Sequence, residues 1–219
     1  MNIFDIVGPV MIGPSSSHTA GAVRIGYVAG LLLGKPAVKA EIYLHGSFAK
    51  TYKGHGTDKA LIAGILGMMP DDGRIRISPV LAKEAGLAVK IIPGSILDAH
   101  PNTARITLTG ADGEQVTVQG SSIGGGNIVI NQINGLPVEF AGQCDTLIIL
   151  HRDTAGVIAQ VSQYIGERGI NISNFRLSRS EKGGLAIMTI EVDGEVEPSM
   201  NEHISGMPDI LRSIALRLH

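Results

Sequence analysis

Thr146-Leu147-Ile148-Ile149-Leu150-His151, running into Arg152-Asp153-Thr154-Ala155-Gly156-Val157, is the stretch that decides the C-terminal fold. The aliphatic run reads as a buried strand, and the polar, glycine-containing turn after it hands the chain to a helix over 156–168. Beyond it come strands over 171–178 and 185–192, a helix over 199–204 and a strand over 210–215. This order is βαββαβ, two split βαβ units that fold into a four-stranded antiparallel sheet with both helices on one face. The edges of such a sheet are open to pairing, so a homodimer through this region is expected.

The N-terminal part is a different, mixed α/β domain. Its leading feature is Gly13-Pro14-Ser15-Ser16-Ser17-His18-Thr19-Ala20-Gly21, a hydroxyl-rich loop running into a helix expected over 18–33. The free N–H groups at a helix start favour an anion, and serine and threonine hydroxyls add donors. Gly54-His55-Gly56-Thr57-Asp58, His100-Pro101-Asn102-Thr103 and Gly124-Gly125-Gly126 follow, also in expected loops, so four polar or glycine-rich segments are expected to meet at one site. Between them, a strand is expected over 39–45, and Thr57 or Asp58 is expected to cap a helix to about 68. Ser78-Pro79 is expected to open another that stops at Gly86. A strand over 87–92 and a hairpin of 103–109 with 115–119 around Gly110-Ala111-Asp112-Gly113 complete the domain. The junction is expected over 135–142, giving domains 1–136 and 145–219.

Composition narrows the function. The 219 residues are 44% hydrophobic but only 4% aromatic, so aliphatic side chains and alanine pack against many of the 29 glycines. A net charge of −2 without a basic cluster gives no footprint for nucleic acid or anionic membrane. The apolar start, 1–12, lacks the basic n-region and cleavage site of a signal peptide, and no run approaches about eighteen apolar residues; a cytoplasmic location is expected. The one cysteine, Cys144, excludes an internal disulfide and a cysteine-rich metal cluster within this chain, and is expected to be buried.

The motif 151–157, with Gly169-Ile170-Asn171-Ile172 after it, resembles an ACT regulatory domain, which has a ferredoxin-like βαββαβ fold. The resemblance implies an amino-acid effector site at His151, Asp153, Gly156 and Asn171. The N-terminal motifs 13–20, 54–58, 100–103 and 122–126 resemble the allosteric-substrate-binding, or β, domain of bacterial iron–sulfur L-serine dehydratases. The two resemblances together cover nearly the whole chain. They imply a separate β subunit, inactive alone, that joins a cysteine-bearing α subunit to convert L-serine to pyruvate and ammonia, an ammonia-lyase of amino-acid catabolism. They also imply a [4Fe–4S] cluster as Lewis acid, carried by the α partner because no metal ligand set is expected here.

On this reading Ser15, Ser16, Ser17, His18 and Thr19 hold the substrate carboxylate. His55 and His100 are the candidates for proton transfer, since imidazole exchanges protons readily near neutrality. Each residue also has an ordinary structural reading. The serines can cap a helix, the His55 and His100 motifs can be turns, and 124–126 reads better as a close backbone approach than as a phosphate loop, because no Lys-Ser/Thr follows. His45, His203 and His219 read as ordinary residues. Two other functions stay open: a stand-alone ACT-type amino-acid sensor without catalysis, and an anion-binding transferase, against which the lack of a carboxylate pair for magnesium and of a P-loop lysine argues.

Overall fold

A computed structural model describes residues 15–141 and 144–217. The chain divides into two compact units, Met1–Asn134 and Gly135–His219. Met1 to Pro14, including the first two residues of the serine-rich motif, and terminal His219 lie outside the described residues.

The first unit opens with a π-helical turn, Ser16–Gly21, which continues as α1 (Ala22–Leu33). The helix expected over 18–33 therefore begins two residues earlier, and as a wider turn. Ser15 is the N-cap, its backbone extended and its Oγ accepting from His18 N. Next come β1 (Ala37–His45), α2 (Gly46–His55), α3 (Thr57–Ile65), a 3-10 turn (Gly73–Ile77), α4 (Ser78–Glu84) and β2 (Ala88–Gly94). Strands β3 (Thr103–Gly110), β4 (Gln115–Gly124) and β5 (Asn127–Ile133) finish it.

These strands lie in the order β2-β1-β3-β4-β5. The β1–β2 pair is parallel and needs the crossover that α2, α3 and α4 supply; the other pairs are antiparallel. One face alternates into the core through Ala40, Ile42 and Leu44 of β1, Ala104, Ile106 and Leu108 of β3, and Val116 and Val118 of β4. Helix α1 adds buried Ile25, Val28, Ala29 and Leu33. It approaches α3 so closely that a Cβ at Gly64 would lie 2.0 Å from Val23 O, and one at Gly26 2.3 Å from Leu61 O.

Three local expectations are corrected. The expected loop at 54–58 is instead a junction of two helices, since His55 ends α2, for which the sequence gives no signal, and Gly56, at φ 70°, turns the chain into α3. Neither Thr57 nor Asp58 caps α3; Gly56 occupies that position, and the Thr57 hydroxyl is buried inside. Ser78 does not cap α4 either, because its Oγ donates to Lys59 O at 2.7 Å and ties α4 to α3. The expected hairpin is the β3–β4 pair, and 124–126 is the turn from β4 into β5, with φ of 108°, 61° and 83°.

In the second unit, 136–140 of the expected junction is itself a strand, β6 (Leu136–Phe140). Strand β7 (Asp145–Arg152), α5 (Val157–Gly166), β8 (Asn171–Arg179), β9 (Leu185–Asp193), α6 (Pro198–Ser205) and β10 (Ile210–Leu216) then give the βαββαβ order, with the antiparallel sheet β10-β7-β9-β8. Val157, Val161 and Ile165 place a stripe of α5 on Leu147, Ile149, Met188 and Ile190, and Met200 and Ile204 of α6 complete the core. Cys144 is half-buried rather than buried. No helix among the described residues is long and apolar enough to cross a membrane.

Candidate functional site

Sheet register explains why distant polar segments meet. His45 at the end of β1 lies beside Gly94 at the end of β2, Leu44 beside Ala104 near the start of β3, Thr103 beside Ser121, and Gly124 beside Asn127. The segments following β1 and β2, preceding β3 and joining β4 to β5 therefore share one end of the sheet. The serine-rich turn is pinned there by Gly21, where a Cβ would stand 2.1 Å from Ser122 Oγ. Ser122 N in turn donates to Asn102 O at 2.9 Å.

His18 is the centre of this arrangement. Its Nδ1 lies 3.3 Å from Ser15 Oγ and its Nε2 3.0 Å from Ser47 Oγ. The Phe48 ring meets it edge-on at 5.3 Å and the His55 ring at 4.8 Å. Burial, and secondly repulsion from His55, lowers the His18 pKa below its ordinary value of 6.5, so the neutral imidazole is favoured. His55 is exposed, and no hydrogen bond reaches its ring among the described residues.

The His100 segment joins through its neighbour. Pro101 O accepts from Ser47 N at 2.7 Å and from Phe48 N at 3.4 Å. Gly46, at φ 59°, lies flat on Pro101, where a Cβ would be 2.5 Å from Pro101 O; glycine is needed for both the backbone angle and the approach. His100 Nδ1 accepts from Asn102 N at 3.2 Å, which leaves the ring proton on Nε2. Thr103 Oγ1 donates to His100 O at 2.6 Å and pairs with Ser121 Oγ at 2.7 Å.

Ser15, Ser16, Ser17 and His18 are half-buried at the open start of the turn, whereas Thr19 points inward. Thr19 Oγ1, Thr57 Oγ1, Asn102 Oδ1 and Ser122 Oγ are buried without a partner among the described residues. Thr19, Thr57 and Asn102 belong to segments expected to converge, and Ser122 lies two residues before the fourth, 124–126. Unsatisfied buried polar atoms are rare and call for a functional or solvent explanation. Ser47 and Arg24 were not foreseen. Arg24 donates from Nη1 to Gly126 O at 2.8 Å, and burial lowers its pKa. It is the only charge in an otherwise apolar stretch from 20 to 33, a signal the sequence does carry. Ser47, after a glycine at a strand end, carries none.

The four expected effector residues do not form one cluster within the chain. His151 is buried on β7, donates from Nδ1 to Arg152 O at 2.7 Å, and keeps Nε2 unpartnered among the described residues. Asp153 Oδ2 accepts from Gly183 N at 3.0 Å and Arg179 Nη1 at 2.8 Å; these two donors, the backbone N–H first, hold its carboxyl below the usual carboxylate range. Gly156, at φ 96°, precedes α5. Asn171 sits elsewhere. It pairs with Asp193, whereas His151 pairs with Ala186 seven steps along the same strand, about 23 Å at strand rise. Its Nδ2 donates to Asp193 Oδ2 at 2.7 Å. The four are grouped by the resemblance to the ACT family, not by any register within one chain.

Of the residues read as ordinary, His45 accepts on Nδ1 from Ile96 N at 2.9 Å, and His203 stacks on Tyr164 at 4.2 Å. The donor set does not fit an iron–sulfur cluster, since the chain has one thiol and no three His, Cys, Asp or Glu residues among those described group as metal ligands.

A family model described as "Serine dehydratase beta chain" matches residues 2–91, and one described as "ACT domain" matches 146–207. The chain is 41% identical over 211 residues to the probable L-serine dehydratase beta chain of Bacillus subtilis (strain 168), covering 96% of each. It is 42% identical over 205 residues to the L-serine dehydratase beta chain of Peptoniphilus asaccharolyticus, covering 93% of this chain and 92% of that one. Similarity to the D-3-phosphoglycerate dehydrogenase of Bacillus subtilis is 30% over 191 residues, 87% of this chain but 36% of that enzyme.

Proposed function

The chain belongs to the L-serine dehydratase beta-chain family, and from that membership and the geometry of the first unit we propose how it takes part in the reaction. It acts as the β subunit of a two-chain L-serine ammonia-lyase, inactive alone, with the active site completed by a cysteine-bearing α subunit. The observation that carries this is the meeting, at one sheet end, of a hydroxyl-rich helix start with three histidines. A [4Fe–4S] cluster belongs on the α chain, consistent with the single thiol here. The ACT unit forms a homodimer, and the complex is cytoplasmic.

Eliminating water from serine requires a base for the Cα proton and groups that hold the carboxylate. Ser15, Ser16 and Ser17, with the N–H groups that open the turn, hold the carboxylate, and His18 and Thr19, bonded back to Ser15, fix the shape of that turn. His55, with an unencumbered ring, takes the Cα proton. His100 cannot accept at Nδ1, which already takes Asn102 N–H; it presents Nε2–H as a hydrogen-bond donor to a substrate oxygen. The β-hydroxyl departs as water, taking up the equivalent of the proton given to His55, a departure that the α chain's cluster would assist as a Lewis acid; the aminoacrylate left behind tautomerises and hydrolyses to pyruvate and ammonia. Asn171 and His151, far apart in one chain, serve an effector only as parts of separate subsites or across a dimer.

The test is pyruvate formation from L-serine under anaerobic conditions, with this chain alone and with its cysteine-bearing partner reconstituted with iron and sulfide. Activity only in the mixture is expected. An inactive mixture with an intact cluster would overturn the catalytic reading and favour the amino-acid sensor.

A further inference from the structure

Ser47 stands at the hub of the candidate site without a role. Its backbone is fixed at both ends: N donates to Pro101 O at 2.7 Å, and its carbonyl accepts from Thr51 Oγ1 at 2.8 Å. Gly46 beside it has no room to shift, being already against Pro101. The half-buried hydroxyl so placed meets His18 Nε2 at 3.0 Å, its one hydrogen-bond partner among the described residues.

The other ring nitrogen is held too. Ser15 Oγ lies 3.3 Å from Nδ1 while also accepting from His18 N. A neutral imidazole has one donor and one acceptor nitrogen. One hydroxyl therefore gives its hydrogen to the ring and the other receives the ring's. Held at both nitrogens, the ring has a fixed tilt whichever tautomer it takes, and it meets Phe48 and His55 in T-shaped contacts.

We propose that Ser47 is a positioning residue of the reaction, acting through His18 to fix both the serine-rich turn and the orientation of His55. The inference rests on the lyase reading for its kinetic consequence, but not for its structural one. Ser47 touches no substrate in this scheme. Its backbone N–H holds the segment that carries His100, through Pro101 O, and its hydroxyl holds the serine-rich turn, through His18, so both segments are set against one strand end.

The experiment has two arms, each on Ser47→Ala and Ser47→Thr. In the first, NMR of the histidine-labelled full chain reads the nuclear Overhauser contacts of the His18 ring with Phe48 and His55. The same contacts are expected in the parent and in Ser47→Thr, and weakened contacts in Ser47→Ala. In the second, the reconstituted two-chain enzyme is assayed. Ser47→Ala is expected to lower kcat by about a hundredfold, the cost of a small misplacement, with KM little changed, and Ser47→Thr to recover most of it.

Unchanged ring contacts of His18 in Ser47→Ala overturn the proposal. So does a loss of those contacts in Ser47→Ala without any loss of kcat. If the parent mixture makes no pyruvate, the lyase reading fails, and the NMR arm alone still decides whether Ser47 positions His18. Should Ser47→Ala not fold, Ser47→Cys, which keeps the volume and weakens the hydrogen bond, gives the same reading.

Discussion

Gly21 and Ser122 touch: a Cβ on Gly21 would stand 2.1 Å from Ser122 Oγ and 2.6 Å from its Cβ, and the serine is fully buried with nowhere to retreat. This contact seats the serine-rich turn on β4. Gly21→Ala is expected to destabilise the chain by about 1–3 kcal/mol through overpacking, and to displace the turn. In the double variant Gly21→Ala/Ser122→Gly the obstructing side chain is gone. Urea unfolding of the four proteins in this cycle is expected to show strong non-additivity, with the double variant more stable than the sum of the singles.

Gly64 makes a harder contact, since its neighbours are backbone. A Cβ there would be 2.0 Å from Val23 O and 2.7 Å from Tyr27 N, so accommodation requires α1 and α3 to separate. Gly64→Ala is expected to cost more than Gly21→Ala, despite alanine's higher helix propensity of about 1 kcal/mol. Thermal unfolding of the two variants side by side checks the order.

The depressed pKa of His18 links stability to pH. The folded state takes up a proton on His18 less readily than the unfolded state, whose value is 6.5. Between 6.5 and the folded value the unfolded chain binds more protons, so stability rises with pH; the contribution is full above 6.5 and is lost as pH falls through the folded value. The urea midpoint of the parent is expected to fall more steeply than that of His18→Asn as pH drops below 6.5. His55→Gln, by removing the second cause of the shift, is expected to flatten the parent's slope in part.

His55 and His100 are expected to separate kinetically in the reconstituted enzyme. His55→Ala removes the base and is expected to lower kcat by about 10²–10⁴-fold. His100→Gln keeps a donor at a similar place and is expected to retain more activity than His100→Ala. Equal losses in both His100 variants would remove the donor role.

The C-terminal fold was legible almost residue by residue, because its strands are short aliphatic runs broken by polar and glycine turns, and one period identifies each. Helix α2 was not. Its ten residues, Gly46–His55, bury only Phe48, and a helix with one buried residue leaves no apolar stripe to read. Glycines flanking His55 looked like a loop for the same reason, whereas Gly56 is a helix-ending residue in the left-handed region. Strand β5 was overlooked because the three glycines before it masked the alternation of Ile128 and Ile130. The candidate site was legible as a list of polar segments. Their partner Ser47 was not, since nothing local marks a serine whose importance comes from a residue 29 positions away.

That separation bears on when the site comes into being. His18 meets Ser47 across 29 residues, and Arg24 meets Gly126 across 102. Each segment is shaped by local bonds, but these links between segments are long in sequence, so loop closure must precede the assembled site and folding is expected to be paced by the non-local contacts. A chain emerging from synthesis has the separate turns early and the complete site only once β4 and β5 have been made and joined.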